Sequence, residues 1–199
     1  MADVDRKLIL ILGGARSGKS SFAEDLARRL AGEGEALYVA TAEPGDEEMR
    51  RRIAEHRRRR PASWRTLEER LHLGKAVAGA VGGARVVLVD CVTLWMTNAL
   101  LVGVGPDEEV PPEVEAAALA EVDALLTAYH AGKATFVLIS NEVGLGLVPP
   151  YPLGRAYRDL LGRANQRLAA AADEVYLLVA GLPLELKALS RRFGLGAGS

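Results

Sequence analysis

Residues 13–20, Gly13-Gly14-Ala15-Arg16-Ser17-Gly18-Lys19-Ser20, match G-x-x-x-x-G-K-[ST] at every required position. An aliphatic run from Lys7 to Leu12 precedes them and a helical pattern from Ser20 to Leu30 follows. A strand, a glycine-rich loop and a helix in that order are the context this motif requires. The glycines let successive backbone N–H groups turn toward phosphate oxygens, where a Cβ would clash. The start of the helix adds unpaired donors and partial positive charge. Lys19 is placed to reach the β- and γ-phosphates, and the Ser20 hydroxyl to bind Mg²⁺. The motif points to a nucleoside triphosphate and is silent about which one.

The rest of the chain alternates in a compatible way. Further strands are expected at Ala36–Ala40, Val86–Asp90, Ala134–Ser140 and Glu174–Ala180. Nearly continuous aliphatic strands are those buried on both faces, as parallel strands are. Helices are expected at Asp46–Arg60, stopped by Pro61, and at Leu67–Ala80, Thr93–Leu101, Glu113–His130 and Leu153–Ala172, with a surface loop over Gly103–Pro112. The expectation is therefore α/β: a P-loop NTPase domain of RecA-like class, with a mostly parallel sheet and helices on both faces. A chain of 199 residues suits one such domain, 1–199.

Composition narrows the partners. One cysteine, Cys91, makes no internal bridge and suits a reducing cytoplasm. No apolar run reaches the roughly 20 residues of a membrane span, and the polar start is not a signal peptide. A net charge of -1 argues against a dedicated nucleic-acid binder.

Asp90 closes the run VVLVD and reads either as the acid that holds Mg²⁺ in such folds or as the N-cap of the following helix. Glu142, in Ser140-Asn141-Glu142, falls at the carboxyl edge where ligands of open sheets bind. It reads either as a base or orienter or as an exposed loop acid. The N-K-x-D of switch GTPases and the protein-kinase signatures are absent.

The segment Asp46 to Arg60 has acids at its start and arginines at its end, which complements a helix dipole. Met49, Ile53 and His56 share one helical face. Cations around His56 would disfavour its imidazolium and leave a neutral, nucleophilic ring. The same arginines would stabilise charge moving onto a leaving pyrophosphate. A lone histidine is more often simply packed or solvated, and an arginine run is usually a solvated face. His72, His130, Trp64 and Trp95 read as structural, and Cys91 as a small filler.

Taken together these residues are similar to the bifunctional adenosylcobinamide kinase / adenosylcobinamide-phosphate guanylyltransferase family. The resemblance rests on Leu12–Ser20, Tyr38–Ala42, Arg52-Ile53 through His56 to Arg60-Pro61, Trp64-Arg65-Thr66, Glu68, Asp90-Cys91-Val92-Thr93, Thr97-Asn98, Ser140–Gly144 with Gly146 and Pro149, Arg158-Asp159 and Gly162–Ala169. It implies two reactions. ATP or GTP phosphorylates adenosylcobinamide; GTP then guanylylates adenosylcobinamide phosphate through a GMP-histidine, releasing pyrophosphate. It implies Mg²⁺, His56 as the guanylylated residue, and guanine-nucleotide contacts from Ala40, Thr41, Ala42, Arg57, Arg58, Arg59, Arg60, Glu68 and Asp90. It also implies a homo-oligomer, a trimer. Some relatives carry a second histidine where this chain has Glu55. Two other readings compete: a single-activity P-loop small-molecule kinase with His56 structural, and a RecA-like nucleic-acid ATPase using the arginine run on phosphate backbone. The second lacks an aromatic stacking stripe and a basic excess.

Overall fold

The computed structural model describes residues 6–43, 47, 50–51, 54, 57–58, 61–102, 104–105 and 108–194. The strands are β1 (Leu8–Gly13), β2 (Ala36–Ala40), β3 (Arg65–Glu68), β4 (Val86–Asp90), β5 (Thr135–Ile139), β6 (Glu174–Val179) and β7 (Leu182–Glu185). The labelled helices are α1 (Lys19–Ala31), α2 (Leu73–Ala80), α3 (Val92–Leu100), α4 (Pro112–Ala131), α5 (Pro152–Ala171) and α6 (Leu186–Arg192). Glu47, Arg50, Arg51, Ala54, Arg57 and Arg58 are helical, as expected for their segment. His56, Arg59 and Arg60 lie outside the described residues.

Seven strands form one sheet in the order β3-β2-β4-β5-β1-β6-β7. All neighbours are parallel except β6 and β7. Alternation along the strands sorts side chains into two layers. Leu8, Leu10, Leu12, Val87, Val89, Phe136 and Leu138 face a cluster with Trp95, Leu125, Leu160 and Leu168 of the helices α3, α4 and α5. Ile9, Ile11, Tyr38, Leu88, Val137 and Ile139 face Ala23, Ala27 and Ala31 of α1. Each such aliphatic side chain, fully buried, contributes about 1.5–3 kcal/mol. The two-sided core is why β1, β4 and β5 lack polar residues at their centres. The fold is the P-loop α/β class that the motif implied.

Three local expectations are corrected. The pattern Leu67–Ala80 is not one helix: Arg65–Glu68 is strand β3, and helix begins only at Leu73. Parallel pairing of Thr66 with Tyr38 and Glu68 with Ala40 recruits this polar segment to the sheet edge, where one partner suffices. The antiparallel β7 and the short α6 are additions to the expected elements, which ended at Ala180; the proline of LPLE sits on an edge strand, where its missing N–H is tolerated. Finally, the residue at the N-cap of α3 is Cys91, not Asp90, and no side chain caps there. Asp90 belongs to β4, so its capping role is excluded.

Candidate active site

β1 ends at Gly13, and the chain turns through 14–18 into α1. Gly18 lies in the left-handed region at φ 92° and Arg16 at φ 58°. Left-handed residues of this kind turn consecutive N–H groups inward to form an anion-binding nest. The non-glycine Arg16 costs about 1 kcal/mol or more there. A Cβ on Gly13 would strike Ser17 Oγ at 2.5 Å and Leu178 O at 2.9 Å, whereas one on Gly14 would meet no protein atom within 4 Å. Gly13 is thus demanded by the chain itself, and Gly14 leaves the loop open on its ligand side. Ser17 Oγ is buried with no partner among the described residues. Lys19 Nζ donates to Gly14 O at 3.0 Å, folding back over the loop. Burial holds its ammonium below the ordinary lysine range, against the raising influence of Cys91 and the Asp90 carboxylate. Those influences place Lys19 in the field of Asp90.

Asp90 itself is oriented. Tyr38, almost fully buried on β2, donates its hydroxyl to Asp90 Oδ2 at 2.6 Å. Thr41 N donates to Asp90 O at 3.2 Å. Thr41 Oγ1 donates to Cys91 O and accepts from Cys91 N, both at 2.8 Å. Asn98 Nδ2 donates to Thr41 O at 2.9 Å. The segment Ala40–Ala42 is thereby tied to the end of β4, with Thr41 fully buried. The Asp90–Cys91 peptide is cis. Burial, reinforced by the Asp90 carboxylate, pushes the Cys91 thiol up to about 11; a filler, not a nucleophile, fits that.

Register aligns the remaining acid. Ala40 pairs with Glu68 on one side and with Asp90 on the other. The row continues through Ile139 to Ile11, two residues before the phosphate loop. In-register parallel neighbours point to the same face, so Glu68 and Asp90 share the α1 side of the sheet. Two strand spacings, roughly 10 Å, separate their backbones. Arg57 forms an ion pair with Glu68. Between them opens a cleft of about 390 Å³ lined by Arg57, Pro61, Ala62, Trp64, Thr66 and Glu68. Arg58 is exposed.

Glu142 sits beside the loop, its N–H donating to Gly13 O at 3.3 Å. Its Oε1 accepts from Gly144 N at 2.6 Å. The preceding residues are held by a network that the sequence did not disclose. Asn141 N donates to Thr93 Oγ1 at 2.9 Å, Asn165 Nδ2 donates to Asn141 O at 3.0 Å, and Ser140 Oγ donates to Asn165 Oδ1 at 2.7 Å. The sequence sets Tyr38, Trp64, Ser140, Asn141 and Asn165 within the family's motifs but gives none of them a partner, because each reads alone as an ordinary residue of its segment. Only cross-strand register reveals their place.

For Mg²⁺ the donor set fits: a carboxylate on Asp90 and a hydroxyl on Ser20, the hard oxygens that this ion takes sparingly from protein, with phosphates and water supplying the rest. Among the described residues, no three His, Cys, Asp or Glu side chains cluster as a complete metal site, so an ion held here would take most of its ligands from phosphate and water.

A glycine-rich loop of phosphate-binding sequence between β1 and α1, an aspartate at the end of the neighbouring β4 and an acid-bearing cleft beside β3 are the features of a P-loop enzyme that uses nucleoside triphosphates. The chain belongs to the CobU family, cobinamide kinase / cobinamide phosphate guanyltransferase, whose model matches residues 9–186. It is 44% identical over 183 residues to the bifunctional adenosylcobalamin biosynthesis protein CobU of Escherichia coli, covering 90% of this chain and 99% of that protein. It is 48% identical over 179 residues to the bifunctional adenosylcobalamin biosynthesis protein CobP of Pseudomonas aeruginosa, covering 89% and 96%. Among solved structures, an ATPase domain is similar with a TM-score of 0.49 and 13% identity, over 86% of this chain and 69% of that one.

Proposed function

We propose that this chain runs both reactions of its family at one sheet edge, with the phosphate loop serving triphosphate and His56 carrying GMP between them. As a member of that family the chain is a cobinamide kinase and cobinamide phosphate guanylyltransferase; the residue roles are what we add. The observation that carries them is the register row from Glu68 through Ala40 to Asp90, on the face where Lys19 begins α1.

In the kinase step, the substrate hydroxyl oxygen attacks the γ-phosphorus of ATP or GTP and the bond to the β-phosphate oxygen breaks. The backbone N–H groups of Gly13–Gly18 and the Lys19 ammonium bind the β- and γ-oxygens and stabilise the charge there. Glu142, clamped beside Gly13, takes the hydroxyl proton. Ser20 and Asp90 would hold Mg²⁺, which neutralises phosphate charge when bound. In the transferase step, a neutral His56 nitrogen attacks the α-phosphorus of GTP and pyrophosphate leaves. The phosphate of adenosylcobinamide phosphate then attacks the same phosphorus, the P–N bond breaks, and His56 is regenerated as adenosylcobinamide-GDP forms. Arg57, Arg58, Arg59 and Arg60, next to His56 in sequence, supply positive charge for the pyrophosphate. Glu68 accepts from the N1–H and N2 amino donors of guanine.

The whole chain, 1–199, acts as one nucleotide-binding domain, which the single sheet supports. The exposed Val179, Leu182, Leu184 and Phe193 around β7 support a homo-oligomer, a trimer by family likeness, and sedimentation measures it. No described helix is long and apolar enough to cross a membrane, and the lone cysteine supports a cytoplasmic setting.

The test uses Mg²⁺ and GTP labelled at the α-phosphate. Protein-bound label that is acid-labile and base-stable, as a phosphoramidate is, is expected in the native chain and not in His56→Ala. Absence of label in native protein that still binds GTP would remove the GMP-histidine.

A further inference from the structure

We propose that Trp64 is the platform on which the guanine base stacks, with Glu68 reading its edge, so that base choice is made on the outermost strand. This rests on the guanylyltransferase reading above and assigns a residue to it. Trp64 immediately precedes β3, and strand periodicity puts Trp64, Thr66 and Glu68 on one side. That side is the wall of the cleft. Arg65 turns the other way and donates to Ala80 O and Val81 O. Trp64 is half-buried: with Ala40 and Cys91 it packs against the α1-side cluster that includes Tyr38, and its backbone N–H donates to Pro61 O at 3.0 Å. The indole is therefore held from behind while part of it lines the cleft. From Trp64 to Glu68 the strand runs roughly 13 Å, a length that an indole, a purine and a glutamate side chain can fill between them.

The chemistry of the wall selects the base. A carboxylate accepts from the paired donors of guanine; adenine presents an acceptor at N1, which the carboxylate repels. Arg57 competes with the base for Glu68. Both partners of that ion pair are well exposed, with side-chain accessibilities of 58% and 63%, and such pairs contribute little to stability. Guanine can displace the guanidinium cheaply, which frees Arg57 for phosphate. Pairing with Arg57 thus keeps the carboxylate aimed until a base arrives.

The experiment is intrinsic fluorescence with GMP as the probe. The other tryptophan, Trp95, is fully buried with its Nε1–H on Leu71 O, so a change on binding reports Trp64. Saturable quenching by GMP, and much weaker quenching by AMP, is expected. Trp64→Ala should weaken GMP binding, measured by calorimetry, by roughly 5- to 100-fold, the usual loss when an aromatic platform for a base is removed. Trp64→Phe keeps a ring and should restore most of the affinity, which a purely structural role in folding would not require. Glu68→Gln should narrow the GMP-to-AMP ratio. GMP affinity unchanged within about twofold in a folded Trp64→Ala protein would overturn the platform, since that lies below the loss expected of a stacked base. If that protein still forms labelled GMP-enzyme, the guanylyltransferase reading survives; absence of label in the native chain would fail the reading itself.

Discussion

Burial holds the Lys19 ammonium below its ordinary range, so the lysine proposed to serve the phosphates weakens the fold that carries it. The unfolded chain binds that proton more tightly than the folded one does. Stability attached to Lys19 therefore rises with pH, from the folded pKa up to the ordinary value of 10.5. Lys19→Met should abolish triphosphate use while leaving melting temperature unchanged or raised at pH 7. The advantage over the native chain should shrink as pH approaches 10.5, which calorimetry checks. Cys91 makes the opposite kind of statement. With its thiol at about 11, only about one in a thousand is thiolate at pH 8, and the thiolate is the reactive form. Alkylation in the native state should be slow and should quicken about tenfold per pH unit toward 11, and denaturant should accelerate it strongly at pH 8. Mass spectrometry of iodoacetamide-treated protein reads both.

At the scale of elements, what was legible in the sequence depended on how much of each element the core dictates. β1, β4 and β5 have water on neither face, so their composition announces them. The long helices α4 and α5 each carry proline at the first turn, where a missing N–H does no harm, and their boundaries follow closely from the pattern. β3 was hidden because its inward set is short: Leu67 packs into the core, while Arg65, Thr66 and Glu68 are exposed and polar. The phosphate loop was fully readable, since its chemistry is local. The cleft was not, because Trp64 and Asp90 meet the same face only through the pairing of β3, β2 and β4. Helix packing adds a position that no sequence pattern marks. A Cβ on Gly74 of α2 would lie 2.5 Å from the backbone carbon of Ala124 in α4. Gly74→Ala should force those helices apart at a cost of about 1–3 kcal/mol, despite the better helix propensity of alanine. Urea unfolding measures the loss.

For the molecule as a whole, ligand binding and stability are linked by mass action. At about a hundred times its dissociation constant a nucleotide that binds only the folded state adds about 2.7 kcal/mol. For a chain of this length that corresponds to a melting shift of roughly 5–10 °C. Mg²⁺-GTP should give such a shift, and Lys19→Met should reduce it sharply at the same concentration; scanning calorimetry tests this. Glu68→Gln should affect the shift by GTP more than that by ATP. The row that joins Glu68 to Asp90 crosses only hydrogen-bonded neighbours, whereas β3 itself has a single partner in the sheet. On this edge strand only Thr66 and Glu68 face the cleft, while Leu67 packs into the core behind it. On the reading proposed above, replacing Thr66 and Glu68 by side chains with a different hydrogen-bonding face, with Leu67 kept, should redirect the protein to another nucleobase and leave phosphate chemistry in place; nucleobase identity would then be an exchangeable fitting on a fixed engine.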